Sequence, residues 1–152
     1  MNVAAYILDC GVPVRNYHVE SAILSTDYQS LSLVMANGYN INQPISWNIP
    51  SLLIQGLCEW LLEHDADPNA QCVLDITPLS IAVQEAPFEV IKLLFENNSS
   101  IEYGQLLHYA VRRSNVDYLE VLEFIFDKRP SINQVIFENH PTSYDLRKPF
   151  GI

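Results

Sequence analysis

The stretch Thr77-Pro78-Leu79-Ser80-Ile81-Ala82-Val83 (TPLSIAV) decides the fold. A threonine hydroxyl can accept an N–H from a helix's first turn, and proline suits the first helical position, which has no donor to lose. A helix is therefore predicted to begin at Pro78. The small Ala82 inside it makes sense only when the stretch is set among the others like it.

Self-similarity runs outward from this helix. Five segments share the form aliphatic pair, polar residues, turn, aliphatic or proline, then often Asn: ILDCGVPV, LVMANGYNIN, WLLEHDADPN, KLLFENNSSIE and FIFDKRPSIN. Taking Gly11, Gly38, Asp65, Asn98 and Arg129 as equivalent turn positions gives intervals of 27, 27, 33 and 31 residues. These intervals straddle one supersecondary unit.

The unit resembles the ankyrin repeat, in which about 33 residues join a β-turn finger to two antiparallel helices and carry the signature T-P-L-H-x-A. The best copy is HDADPNAQCVLDITPLSIAVQEAPFEVIKLLFENN, with Thr77, Pro78, Leu79 and Ala82 in place and Ser80 where the family has His. GQLLHYAV keeps Leu107, His108 and Ala110, and NYHVESAI keeps Ala22. Ala22 to Gly38 is 16 residues, as is Ala82 to Asn98. The resemblance implies an all-α ankyrin-repeat solenoid of stacked helix-turn-helix units with short or degenerate β-hairpin fingers. A single domain over residues 1–152 would hold about three to four full units, with half-units at both ends.

Departures from the repeat are local. The copy around NIPSLLIQGLCEWLLEHD is about five residues short, so its two helices are joined by a trimmed link or merge. After Glu102 only Tyr103-Gly104 precedes the next helix, leaving one finger nearly absent. Ala110 to Arg129 is 19 residues, a three-residue extension near RRSNVD. The chain opens on what reads as a second helix, VAAYILDCG, and closes on TSYDLRKPFGI, which resembles the start of a further unit. Neither end reads as a cap. The domain is then part of a longer array, or its terminal apolar faces are covered by a partner or a second copy.

Helical periodicity supports the assignment independently. In FEVIKLLFENN, Phe88, Ile91, Leu94 and Phe95 share one face, and in YLEVLEFIFDKR, Leu119, Leu122, Ile125 and Phe126 are expected to do the same. A lone helix pair has nothing to bury such a face against, so neighbouring units must stack. Ala82 and Ala110 would then let the first helices of adjacent units approach closely.

Composition narrows the function classes. The chain has 152 residues, 49% of them hydrophobic and 17% charged, which fits one globular domain rather than a disordered tail. No apolar run reaches the roughly 18 residues of a membrane span, and the start MNVAAYILDC lacks the basic opening of a signal peptide. The expectation is an intracellular protein, cytoplasmic or nuclear. Cys10, Cys58 and Cys72 are widely spaced with no C-x-x-C, which suits reduced, mostly buried thiols. Residues 1–100 carry eleven acids against Arg15 and Lys92, a net of −9, whereas residues 101–152 are near balance at −1. Such a field repels phosphate backbones and favours a basic partner, so nucleic acid is excluded as the expected partner.

Chemistry-bearing constellations are few. LLEHDADPN gathers Glu63, His64, Asp65, Asp67 and Asn69, residue types that serve hard metals. The segment coincides with the turn after a helix, and its polarity reads as turn chemistry. Phosphate-cradling glycine motifs and a G-x-S-x-G elbow are missing, and no cofactor or metal is expected. His108 sits at the signature His position, whose role by resemblance is to tie neighbouring turns through backbone hydrogen bonds. Cys58 and Trp60 read as core and Cys72, on a finger, as exposed; Trp47, also on a finger, is either an exposed interaction anchor or packed back on the first helices.

The resemblance further implies protein binding through finger tips and the concave face of the first helices. Carried onto this chain, that surface comprises Trp47, Asn48, Gln71, Leu74, Asp75, Ile76, Gln84, Tyr109 and Arg113. A protein-interaction module or adaptor is the expected function, with a partner of basic surface. Two alternatives stay open: a small-molecule or enzymatic pocket near Tyr103, His108 and Tyr109, and a homo-oligomeric piece joined through its uncapped ends.

Overall fold

The computed structural model describes Leu8 and residues 10–43, 57–72 and 75–132. Among these residues lie seven helices: α1 (Asn16–Leu24), α2 (Tyr28–Ala36), α3 (Cys58–Glu63), α4 (Pro78–Glu85), α5 (Phe88–Glu96), α6 (Leu106–Arg112) and α7 (Tyr118–Asp127). No strand occurs among them. The helix read at Pro78 starts there: Thr77 Oγ1 accepts the Ser80 N–H at 3.2 Å, and Ser80 Oγ accepts the Thr77 N–H at 3.1 Å, a reciprocal cap.

All five predicted turn positions hold a left-handed backbone, with φ of +73° at Gly11, +85° at Gly38, +63° at Asp65, +64° at Asn98 and +56° at Arg129. Each ends a helix or a helical turn. One residue past three of them, Tyr39, Ala66 and Ser99 donate their N–H groups back to the carbonyls of Val34, Leu61 and Leu94, at 3.3, 3.0 and 3.0 Å. This is the six-to-one bond of a Schellman stop, which satisfies a carbonyl the helix leaves without a partner.

The Asn of the repeated pattern also acquires a role. Asn42 accepts the Asp67 N–H at 2.7 Å and donates to the Asp65 carbonyl at 3.2 Å. Twenty-seven residues on, Asn69 accepts the Ser100 N–H at 2.7 Å and donates to the Asn98 carbonyl at 3.0 Å. Each side-chain amide therefore clamps the turn of the following unit. Each clamping residue is itself held by the side chain two positions before it, Asn40 and Asp67 respectively.

Helices pair as α1–α2, α4–α5 and α6–α7, and α4 packs against α6. At that inner contact Leu79, Val83, Leu106 and Ala110 are fully buried and Ala82 is buried, so the small residues sit where the first helices meet. Each large aliphatic side chain buried there contributes roughly 1.5 to 3 kcal/mol. On the outer side Phe124 of α7 lies edge-on between Phe88 and Phe95 of α5, at centroid distances of 5.1 and 5.4 Å. A second aromatic contact joins α2 to α3, with Tyr28 and Trp60 at 5.5 Å.

Two packing expectations are corrected. In α7 the buried residues are Val121 and Ile125, whereas Leu119 and Phe126 are 54% and 61% exposed. The segment is apolar on more than one face, so periodicity alone admits two phases, and contact with α5 and α6 selects the one through Val121. Trp60 is half-buried rather than core, its ring stacked on His64 at 3.9 Å. In α5 the expected face holds, with Ile91 and Leu94 buried and Phe88 and Phe95 half-buried against Phe124.

The irregular copies are held by substitutes. Where a finger is nearly absent, Ser80 Oγ donates to the Gly104 carbonyl at 2.8 Å. Gly104 has φ +79°, and a Cβ there would overlap Ser80 Oγ and stand 2.6 Å from Thr77 Oγ1, so only glycine fits. The extension is the five-residue link 113–117 between α6 and α7, against the two residues 86–87 that join α4 to α5. The trimmed link of the short copy lies outside the described residues, as do most of the opening helix and all of the closing segment.

Candidate functional site

On the finger of the best copy, the Cys72 N–H donates to the Ile76 carbonyl at 3.1 Å and the Asp75 N–H to the Cys72 carbonyl at 3.0 Å. Asp75 adopts φ +58°, which closes the turn. On this finger Cys72, Asp75 and Ile76 are buried, at 4%, 9% and 8% exposed. Cys72 is thus buried, not exposed as expected, and Asp75 and Ile76 do not form an outward tip. Gln71 beside them is half-buried. Trp47, Asn48 and Leu74 lie outside the described residues.

On the packed inner helices α4 and α6, Gln84 and Tyr109 are half-buried and Glu85 and Arg112 are exposed. Gln84 Nε2 donates to Glu85 Oε1 at 3.1 Å. Burial first, and the neighbouring Cys72 second, push the Tyr109 phenol above its ordinary value, with Arg112 opposing. Tyr109 therefore stays a neutral donor throughout the physiological range.

Arg113 is a correction. Its side chain is fully buried: Nη1 donates to the Val83 carbonyl at 3.0 Å, while Nε and Nη2 grip the two Asp117 carboxylate oxygens at 2.8 and 2.7 Å. It ties the link between α6 and α7 to the last turn of α4 and offers nothing to a partner. The same hydrogen bonds hold the Asp117 carboxyl below its ordinary value. Sequence spacing hinted at this through the extension but could not say which of its residues turned inward.

His108 is likewise reassigned. It is exposed, its ring edge-on to Tyr109 at 6.1 Å, and the tie expected of the signature His is made one copy earlier by Ser80. Tyr103 is exposed as well. A cleft of about 220 Å³ opens away from these residues, beside α1 and α2, lined by Val12, Val14, His18, Asp27 and Val34 among others. There the Ser30 hydroxyl, and next its N–H, hold the Asp27 carboxyl below its ordinary value.

Polar residues of LLEHDADPN serve the turn. His64 Nδ1 donates to the Trp60 carbonyl at 2.7 Å, Asp67 accepts the Asn69 N–H at 2.8 Å, and Asn69 is the clamp described above. No group of three or more His, Cys, Asp or Glu among the described residues is placed to hold a metal ion. No helix among them is long and apolar enough to cross a membrane.

Residues 52–135, just over half of the chain, match the family model for ankyrin repeats in three copies. No curated protein matches the chain.

Proposed function

Because the chain belongs to the ankyrin-repeat family, we propose that it is a protein-interaction module whose partner docks on the inner helices α4 and α6 and the neighbouring finger. One observation carries this reading. Gln84, Glu85, Tyr109 and Arg112 stand on the paired inner helices, while the side chains that hold the units together, Ser80, Asn69 and Arg113, are engaged elsewhere. The backbone beneath is fixed by the buried contact of Leu79, Val83, Leu106 and Ala110, so little order is lost on binding. Half-buried Gln71 extends the proposed surface along the finger; Trp47, Asn48 and Leu74, which the resemblance assigns to it, lie outside the described residues. A net charge of −10 supports a partner of basic character.

Photo-crosslinking tests the proposal. A benzophenone side chain is placed at Gln84 on the inner face or at Glu89 on the outer helix, and crosslinked proteins from the native source are identified. The reading expects a partner recovered from Gln84 and absent from Glu89. Identical recoveries from both positions, or none from Gln84, would sink it.

A further inference from the structure

The unit of α1 and α2 and the unit of α4 and α5 share one register, sixty residues apart: α2 runs from Tyr28 to Ala36 and α5 from Phe88 to Glu96, with Asp27 and Pro87 at their N-caps. Buried positions correspond, Ala22 to Ala82, Leu31 to Ile91 and Val34 to Leu94. Four other positions change character. His18, Ser21, Asp27 and Ser30 stand where the later unit has Pro78, Ile81, Pro87 and Val90. All four line the cleft of about 220 Å³ beside α1 and α2.

This exchange opens the cleft and makes it polar. Ser21, Ser30 and Val34 are smaller than Ile81, Val90 and Leu94, so side-chain volume present in the later unit is absent here. The bonds already made decide what the polar groups can still bind. Ser30 and Ser25 give their hydroxyl hydrogens to Asp27 Oδ2 and the Ser21 carbonyl, which leaves both hydroxyl oxygens as acceptors. The Asp27 carboxylate takes the Ser30 hydroxyl and N–H, one on each oxygen, and keeps further lone pairs. His18 Nδ1 accepts the Arg15 N–H at 3.0 Å, so its Nε2 is a donor. Acceptors predominate, and Asp27 is the one carboxylate or cationic side chain among the described lining residues. The cleft is smaller than the roughly 300 to 1,000 Å³ of a drug-sized site, so its ligand is small.

We propose that the cleft binds a small organic ammonium ion, its charged head on the Asp27 carboxylate and its apolar body along Val12, Val14 and Val34. The site is separate from the inner-helix surface of α4 and α6 and does not rest on that reading.

The test follows the valine methyl resonances of the full chain as 2-phenylethylammonium or the neutral 2-phenylethanol is added. The expected result is a saturating shift at Val12, Val14 and Val34, with the alcohol bound about tenfold more weakly. Asp27→Asn keeps the α2 cap, because Asn caps as well as Asp, and should weaken the ammonium by a similar factor while leaving the alcohol unchanged. Ser21→Ile combined with Ser30→Val gives the cleft the later unit's residues and should abolish binding of both; if that pair fails to fold, the Asp27→Asn comparison decides. Nα-acetyl-lysine methylamide, titrated in parallel, separates the two sources of such a group: either ammonium supports the proposal, and the tighter one tells a free amine from a partner's lysine. Equal affinities for ammonium and alcohol, no saturating shift at these valines, or binding that survives the refilled cleft would overturn the proposal and leave a packing gap.

Discussion

Arg113 Nη1 lies 3.0 Å from the carbonyl oxygen of Val83, thirty residues earlier in the chain. Val83 belongs to the last turn of α4, whose carbonyls have no partner within the helix. The guanidinium supplies one while its other nitrogens grip Asp117, whose side chain is 25% exposed against 0% for Arg113. That asymmetry yields a prediction. Asp117→Asn strands a buried cation and should cost about 3 to 5 kcal/mol, whereas Arg113→Met leaves a carboxylate that water can reach and should cost about 2 to 3 kcal/mol. Urea midpoints of the two variants should fall in that order.

The same pair carries a pH signature. Asp117 is depressed in the folded state, so its contribution is complete above the ordinary carboxylate value of 3.8 and is lost as pH falls below it. The stability gap between wild type and Asp117→Asn should be constant near neutrality and should shrink in acid. Denaturant titrations at neutral and at strongly acidic pH measure both ends, and a gap that widened in acid would refute the assignment.

The asparagine clamps should be coupled. Asn42 accepts the N–H of Asp67, and Asp67's carboxylate in turn holds the N–H of Asn69. Asn42→Ala and Asn69→Ala should each cost about 0.5 to 1.5 kcal/mol, given their partial exposure. The double variant should lose less than the sum of the two, because residues in one hydrogen-bond network do not act independently. A strictly additive cycle would mean that the clamps act alone.

Ser99 offers a stabilising change. Its hydroxyl is buried without a hydrogen-bond partner, and the register-equivalent residue one unit earlier is the buried Ala66. Ser99→Ala should raise stability by about 1 kcal/mol, since an unsatisfied buried hydroxyl is removed and only a small space is left. Thermal melts of the purified variant decide it, with an unchanged or lowered midpoint as the contrary result.

Thiol chemistry should separate the three cysteines. Cys10 is exposed, and Cys58 and Cys72 are buried. Burial, and next the Glu59 carboxylate, push the Cys58 thiol up to about 11, so at neutral pH it is neither ionised nor accessible. A disulfide reagent should modify one thiol per native chain promptly and the remaining two only on unfolding. Prompt modification of all three would contradict the packing of the finger and of α3.

Much of the fold was legible because its code is short-range. Thr77 and Ser80 cap each other across three residues, and Gly38, Asp65 and Asn98 stop their helices through bonds spanning five. Such bonds recur wherever the same residue types recur, so spacing alone located the left-handed turns at the five equivalent repeat positions and the inner helices, though not those at Thr26, Asp75, Gly104 and Gln105. The candidate surface was less legible. Gln71, Gln84 and Tyr109 retain exposure, but Arg113, Asp75 and Ile76 turn inward.

Those inward residues mark the boundary. What the sequence determined by itself was the register: where helices start and stop, which positions turn, and which small residues mark the inner contact. Tertiary structure alone decided which face of α7 is covered, why Cys72 is hidden, that Ser80 ties the turn in place of a histidine, and that Arg113 is a clasp. Each of these depends on what a neighbouring unit places against the side chain, roughly thirty residues away, and no local pattern encodes the identity of that neighbour.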